Sequence, residues 1–436
     1  MWFATRFPLK GCWSPKNEDA VNSAPHMMDS LSKSFTLQRP CPICGSKVGG
    51  SLFRQQFSMM SDGSLLGEYR VVVCLHCGFG FADGIPEQAV IDGYYRDMSK
   101  YECHRESHRE TEYELTRMVQ SASIIQKALP DTSARILDVG CATGRLLHLL
   151  KQAGFRGLRG LDPSPGCAEA AQRLYGIEVL TGTLFAFPEP DAPYDFVILS
   201  GVVEHIRDLQ SALTRFRNVL GPGGRMYVCV PDASRFSDGE NAPFQEFSVE
   251  HINFFGPLSL RNLMQMNGFA EISCEQEMIE VGYRTSGPII HAVFQKNETY
   301  LEPASLARDT ETEPALRQYI RQCNRVDGEI HRVMDRLASQ GKPVIVWGTG
   351  AHTLRLLAVS RLSEAHITAF VDSNPRYQGK RLHGVPIIAP IQLKERSEAI
   401  LISSRVFQEE IVRQIREDLN LKNELILLYH SQQSGV

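Results

Sequence analysis

The sequence predicts an α/β protein built from doubly wound strand–helix units, with a small cysteine-bearing module ahead of them. Three features of the 436 residues carry that expectation. Between Ala134 and Val230, short apolar runs alternate with segments of helical periodicity, the pattern of parallel strands joined by crossover helices. The alternation starts again at Val344, and two Cys-x-x-Cys pairs stand before either stretch.

The chain is too long for one ordinary core, so two or three domains are expected. A formal net charge of −4 argues against a protein that binds nucleic acid through phosphate attraction. No apolar run reaches ~18 residues, so no membrane span is expected. Met1–Leu37 holds Trp2, Phe3, Arg6 and Lys10 but no apolar segment followed by a small-residue cleavage site, and a cytoplasmic location is expected. Residues 13–37 are rich in Ser, Asn, Asp and Lys, so 1–37 reads as a disordered lead-in, with Met27 or Met28 as alternative starts.

Residues 38–103 form the cysteine module. Cys41-Pro-Ile-Cys44-Gly and Cys74-Leu-His-Cys77-Gly are separated by 29 residues. Each pair puts two thiolates on one tight turn, and the glycine after it permits the positive φ that turn needs. Two such turns complete a closed tetrahedral set for structural zinc, with no position open for chemistry. A redox pair is the alternative, but a thioredoxin-like motif does not come twice. His76 is expected to be solvated, and Glu68–Val73 to be a strand feeding the second turn. Cys141, Cys229 and Cys274, among the scattered cysteines, read as packing residues. Tyr94, Tyr95 and Tyr101 either line a substrate mouth or anchor the module on its neighbour. Residues 104–130 bridge to the next unit, with a helix over Glu112–Leu129 that stops at Pro130.

In the core, residues 131–300, a strand at 135–139 runs into a small-residue turn of Gly140, Ala142 and Gly144. A helix over 144–153 follows, whose N-terminus offers free N–H groups. A second strand, 157–161, leads to Asp162, 22 residues after Gly140, where a βαβ unit places an acid for both hydroxyls of a ribose. A helix at 165–174, strands at 177–180 and Tyr194–Ser200, and the turn Val202–Ile206 come next. A helix to Leu220, stopped by Gly221-Pro-Gly-Gly224, and a strand Arg225–Val230 complete a unit that binds ligands at the carboxyl ends of its strands. Asp138, Asp162, Ser200 and His205 fall at or near those ends.

A dinucleotide and S-adenosylmethionine (SAM) both suit such a turn. Asp138 separates them: a carboxylate there repels pyrophosphate but suits a zwitterionic methionine moiety beside a sulfonium. The run Leu137-Asp-Val-Gly-Cys-Ala-Thr-Gly144 resembles motif I of class I SAM-dependent methyltransferases. Tyr194-Asp-Phe-Val, Val203-Glu-His-Ile and Gly221-Pro-Gly-Gly resemble the family's later motifs. The resemblance implies a Rossmann-like core with Asp138, Gly140, Ala142 and Gly144 at the methionine end of SAM and Asp162 on its ribose. Ser200 and His205 would line the floor beside the methyl group. Where the family carries an acid for the adenine amino group, this chain has Gly182-Thr183-Leu184-Phe185, so backbone recognition around Thr183 and Leu184 is expected.

After a Pro/Gly/Asn/Asp-rich loop, Phe244–Phe255 places Glu250 and His251 among aromatics, followed by a helix over Pro257–Phe269. Methyl transfer is an in-line displacement that needs orientation and, for a protonated nucleophile, a base; a histidine suits that task. Residues 301–340 hold a long amphipathic helix, Ala315–Ser339. The final unit, 341–436, opens with Val344-Ile-Val-Trp-Gly348-Thr-Gly350-Ala-His-Thr353, then Ile367–Val371, Asp372 and Ala399–Ser403, and reads as a second, C-terminal Rossmann-like α/β domain. Thr353 replaces the third glycine of a dinucleotide fingerprint, while Asp372 keeps a nucleotide reading open.

The whole arrangement, with its Glu-His-Ile-Asn-Phe-Phe segment, resembles zinc-containing sugar C-methyltransferases acting on nucleotide-linked keto-sugars. That resemblance implies His251 as general base beside Glu250, and a C-terminal domain that helps hold the substrate. The family's tyrosine three residues before that histidine is Ser248 here. The expectation is a three-part cytoplasmic enzyme that uses SAM and structural Zn2+ to methylate a small metabolite, a nucleotide sugar, at carbon. The alternatives are an O-methyltransferase on a polar natural product or glycan, a nucleotide-binding dehydrogenase or regulator using the C-terminal sheet, and a scaffold that binds SAM without turnover. Oligomeric state is not legible.

Overall fold

The computed structural model describes residues 34–60, 65–97, 112–297 and 306–429. Tyr101, His104 and His108, and residues 1–33 of the expected lead-in, lie outside the described residues. Three sheets order the rest.

The first sheet is antiparallel: β1 (Phe35–Thr36), β2 (Val48–Gln56), β3 (Glu68–Cys74) and β4 (Gly80–Asp83). Phe35 and Thr36 pair with Gly49 and Val48. The run Val71-Val72-Val73 is β-branched and fully buried, as a strand covered on both faces requires. The two cysteine turns are alike: Gly45 N–H donates to Cys41 O and Gly78 N–H to Cys74 O, each at 2.9 Å. Both glycines take positive φ, 72° and 83°, as the spacing predicts. His76 is exposed. Helices α1 (Gln88–Asp97) and α2 (Glu112–Ala128) follow.

The central sheet starts with β5 (Arg135–Val139), α3 (Arg145–Gln152), β6 (Gly157–Asp162), α4 (Pro165–Tyr175) and β7 (Val179–Thr181). Next come β8 (Tyr194–Ser200), α5 (Leu209–Val219) and β9 (Leu220–Pro231). The five strands are parallel, with β5 beside both β6 and β8, so the order reverses at β5. Gly221–Gly224 does not end a helix before a separate strand. The strand begins at Leu220 and the glycines bulge out of it, between Leu220 opposite Tyr194 and Arg225 opposite Phe196.

Beyond β9 the structure departs further from expectation. A two-residue strand, β10 (Asn253–Phe254), leaves the central unit and pairs with β4 of the first sheet. After α6 (Pro257–Met266), a long hairpin of β11 (Phe269–Gly282) and β12 (Thr285–Lys296) adds two antiparallel strands beside β9. The sheet order is β11-β12-β9-β8-β5-β6-β7.

The third sheet follows α7 (Thr312–Gln340), whose buried stripe includes Leu316, Cys323, Ile330 and Met334. It contains β13 (Val344–Trp347), α8 (Ala351–Val359), β14 (Ile367–Val371), β15 (Arg381–Leu382), β16 (Val385–Ile388), β17 (Ala399–Ile402), α9 (Gln408–Arg413) and β18 (Leu425–Leu427). All its strands are parallel except β15, in the order β15-β16-β14-β13-β17-β18. A buried bidentate pair, Arg355 to Asp327 at 2.8 and 2.6 Å, ties α8 to α7. Among the described residues, no helix is long and apolar enough to cross a membrane.

Candidate functional site

Two adjoining cavities open at the carboxyl ends of the central strands. The first begins at the turn after β5, where Gly140, Ala142 and Gly144 all have positive φ (70°, 48° and 79°). A Cβ on Gly140 would stand 2.9 Å from Val202 Cγ2, so glycine keeps the cavity wall thin here. The turn is stitched to the end of β6: Gly140 N–H donates to Leu161 O at 2.7 Å, and Ala142 N–H to Asp162 Oδ2 at 2.9 Å. The other Asp162 oxygen accepts Ser164 N–H, also at 2.9 Å. Burial raises the Asp162 pKa, and those two N–H groups pull it back.

Gly140, Leu161, Asp162, Thr183, Leu184 and His205 are among the residues lining this first cavity. Asp138, Ala142 and Gly144 are not. Asp138 is buried within β5, and burial followed by the charge of Asp162 raises its pKa well above the usual range. Ala142 and Gly144 shape the turn, Gly144 as the residue that starts α3.

The second cavity, about 540 Å³, shares Gly140, Gly201, His205 and Glu250 with the first. Ser200, Glu204 and His251 line it from the central unit, and Thr349, Gly350 and Tyr377 from the third sheet. The loop carrying Glu250 and His251 is pinned to the 203–206 turn. Asn253 Nδ2 donates to Val203 O at 2.8 Å and to Ile206 O at 2.7 Å, and Ile252 N–H to Glu204 O at 2.9 Å. From the first sheet, the Arg39 guanidinium donates to Arg207 O at 2.6 Å, Ile252 O at 3.2 Å and Asn253 Oδ1 at 3.0 Å. Burial lowers the Arg39 pKa to about 9.

Ser248 turns its hydroxyl back on the loop, accepting the N–H of Glu250 at 3.2 Å and of His251 at 3.1 Å. Tyr69 donates to Ser248 O at 2.9 Å, and Tyr94 to Glu250 Oε1 at 3.1 Å. Burial and the Glu250 charge raise the Tyr94 pKa. Tyr95 and the carbonyl of Glu250 both meet His205 Nδ1, at 2.9 and 3.0 Å. Sequence reasoning missed Glu204, Asn253 and Arg39. One signal for Glu204 was available: Glu-His occurs at 204–205 and again at 250–251, and both pairs face one cavity.

Away from these cavities, one sulfur from each of Cys41, Cys44, Cys74 and Cys77 lies within 4.8 Å of the others. The Sγ atoms of Cys41 and Cys77, and of Cys44 and Cys74, are 3.5 Å apart, and all four cysteines are free. A disulfide needs ~2 Å, whereas sulfurs sharing a tetrahedral zinc lie about 3.8 Å apart. The donor set fits zinc.

Residues 107–273 match the family model described as a methyltransferase domain, and 340–427 match one described as C2185-like, N-terminal. A probable SAM-dependent methyltransferase of Mycolicibacterium smegmatis is 28% identical over 167 residues, 37% of this chain and 63% of that protein. The C-methyltransferase NovU of Streptomyces niveus is 24% identical over 350 residues, 76% of this chain and 79% of that protein. A solved 1,6-didemethyltoxoflavin N1-methyltransferase of Burkholderia thailandensis is 17% identical with a TM-score of 0.39, covering 52% of this chain and 98% of that one. The chain thus spans 63% of the length of the M. smegmatis relative, and 54% of a further one from Mycobacterium tuberculosis. The methyltransferase-domain match at residues 107–273 thus covers the central parallel strands and turns where the two cavities open.

Proposed function

We propose that the protein transfers a methyl group from SAM to a small polar metabolite, a nucleotide-linked sugar, and joins it to carbon. The observation that carries this reading is the meeting of two cavities at Gly140, His205 and Glu250: one suited to a nucleoside, the other to an acceptor. The first fits the donor. A glycine wall admits it, apolar Leu161 and Leu184 offer faces for adenine, and a braced carboxylate at Asp162 suits two ribose hydroxyls. Bound SAM supplies an electrophilic methyl group on a sulfonium.

The chain's own residues supply the rest. The turn Gly140–Gly144, backed by Asp138, receives the methionine end; Thr183 and Leu184 flank the base; Ser200 and His205 floor the transfer path. His251 and Glu250 form the pair that accepts the acceptor's proton, and pinning by Asn253 and Arg39 keeps them aimed at the cavity. The four cysteines hold structural zinc, and the third sheet, as a second Rossmann-like domain, closes the acceptor side. The resemblance to a C-methyltransferase over 350 residues, beyond the methyltransferase domain alone, supports carbon as the acceptor.

A second reading has its own support. Ser248 uses its hydroxyl on the loop backbone and presents no phenol to the cavity, which leaves an oxygen acceptor open. Incubating the protein with methyl-labelled SAM and a pool of nucleotide sugars tests both. Label on a new C–CH3 carbon is expected; label on a methoxy carbon selects the second reading, and no S-adenosylhomocysteine with any acceptor sinks both.

A further inference from the structure

We infer that Glu204, His205 and His251 form a binding site for a divalent first-row cation on the acceptor side of the reaction centre. The first observation is convergence: one donor atom from each of the three lies within 4.8 Å of the others. Nε2 of His205 stands 3.7 Å from Oε1 of Glu204, and the rings of His205 and His251 meet at 5.0 Å, tilted by 64°. A gap of 3.7 Å is too wide for a hydrogen bond. Two donors sharing an ion with bonds of about 2.1 Å stand roughly 3–4 Å apart.

The second observation is independent and concerns the tautomer. Nδ1 of His205 lies 3.0 Å from the carbonyl oxygen of Glu250, which can only accept. The ring proton is therefore on Nδ1, and the Tyr95 hydroxyl oxygen at 2.9 Å can share it. Nε2 is therefore the ring atom facing the Glu204 carboxylate, where the two side chains are only 17% and 4% exposed. With Nδ1 held by the carbonyl, a cation between them can take Nε2 and a Glu204 oxygen together as ligands. A carbonyl holding the far nitrogen is also how metal-ligating histidines are oriented. Both ligand segments are clamped together by Asn253, so the set is preorganised.

Two histidines and one carboxylate leave coordination positions open, and the cavity shared by all three residues gives access to them. Such a site takes an acceptor with adjacent oxygens, a vicinal diol or a hydroxyl beside a carbonyl. This part rests on the methyl-transfer reading; cation binding does not. Within the Glu250–His251 pair, His251 then holds the ion and the Glu250 carboxylate takes the acceptor's proton, the methyl moves from sulfonium to the deprotonated atom, and S-adenosylhomocysteine leaves as a thioether.

The test uses the full chain with its cysteine site loaded with zinc and other metal dialysed away. Mn2+ titration followed by electron paramagnetic resonance should show one bound ion per chain. Glu204→Gln and His251→Ala should each weaken it at least ~10-fold, with melting temperature checked to confirm folding. Absence of bound Mn2+ in the wild type, or equal affinity in both folded variants, overturns the site. SAM calorimetry on the Mn2+-free protein reports separately on the methyl-donor reading. Mn2+ bound without SAM binding would keep the cation site and sink that reading; the reverse would sink the site alone.

Discussion

Asp162→Asn is the sharpest test of the donor cavity, because the structure fixes what each oxygen already does. Both accept one backbone N–H at 2.9 Å, from Ala142 and from Ser164, the Cys167 thiol also bonds the carboxylate, and the remaining oxygen face is what a ribose hydroxyl would meet. The amide keeps one acceptor and turns an NH2 toward the other backbone donor. One hydroxyl then loses its partner, and the remaining bond loses its charge assistance. At ~1.5–3 kcal/mol for a hydrogen bond to a charged group and ~1 for a neutral one, SAM binding should weaken by about 2–5 kcal/mol, that is by at least ~30-fold. Stability should change less, since losing a buried charge offsets part of the orphaned N–H. Burial also raises the Asp162 pKa, so wild-type affinity should fall on acidification at a higher pH than for an ordinary aspartate, while the variant stays flat. Isothermal titration calorimetry with SAM across pH, beside thermal melting, reads both effects. A folded variant whose Kd stays within threefold of wild type would refute the ribose assignment.

Other perturbations address the frame around the site. Arg355→Met should cost about 3–5 kcal/mol in urea melts because it leaves the buried Asp327 carboxylate with only His331 Nε2, 3.3 Å away, and adding Asp327→Leu should restore most of that loss. Cys77→Ser should abolish the single zinc expected by elemental analysis and lower the melting temperature; unchanged metal content would count against a four-thiolate site. Burial, reinforced by Arg355, holds the His352 pKa down at about 4. Since the unfolded chain takes up that proton near pH 6.5, His352 contributes stability above that pH, which is lost as pH falls toward 4, on the order of 3 kcal/mol. The difference between wild-type and His352→Gln stability should shrink over that window, and a constant difference would refute the assignment.

Much of this architecture could be read locally. The strand, turn and helix around Gly140 depend on residues adjacent in sequence, as do the two cysteine turns, whose glycines at 45 and 78 take the positive φ their spacing demands. What could not be read was long-range. The β11–β12 hairpin lies at a sheet edge, and the burial of β11 follows no clean alternation, so its Glu-rich stretch carries little periodic signal. A two-residue strand such as β10 has no period at all; it exists because Phe81 and Gly80 of another sheet are opposite. The stop expected at Gly221–Gly224 failed because glycine marks a bulge as readily as a helix end.

The same long-range contacts decide how the candidate site is held. The Glu250–His251 loop belongs to the central stretch by sequence but is braced largely from the first sheet. Gln55 reaches Phe247 O at 2.7 Å, Tyr69 reaches Ser248 O, and Arg39 spans the carbonyls of Ile252 and Arg207. Arg39 lies two positions before Cys41, and its own N–H is fixed by Asp83 Oδ1 at 2.7 Å. On the far side of the cluster, Asp309 N–H donates to Cys77 O while Asp309 caps α7, and a Cβ on Gly78 would lie 1.9 Å from Asp309 O. The cysteine cluster therefore sits where the acceptor loop's main brace and the start of α7 are both anchored. Disturbing it should loosen the Glu250–His251 loop before the donor cavity, whose wall at Gly140 and Asp162 is tied within the central sheet by its own backbone bonds.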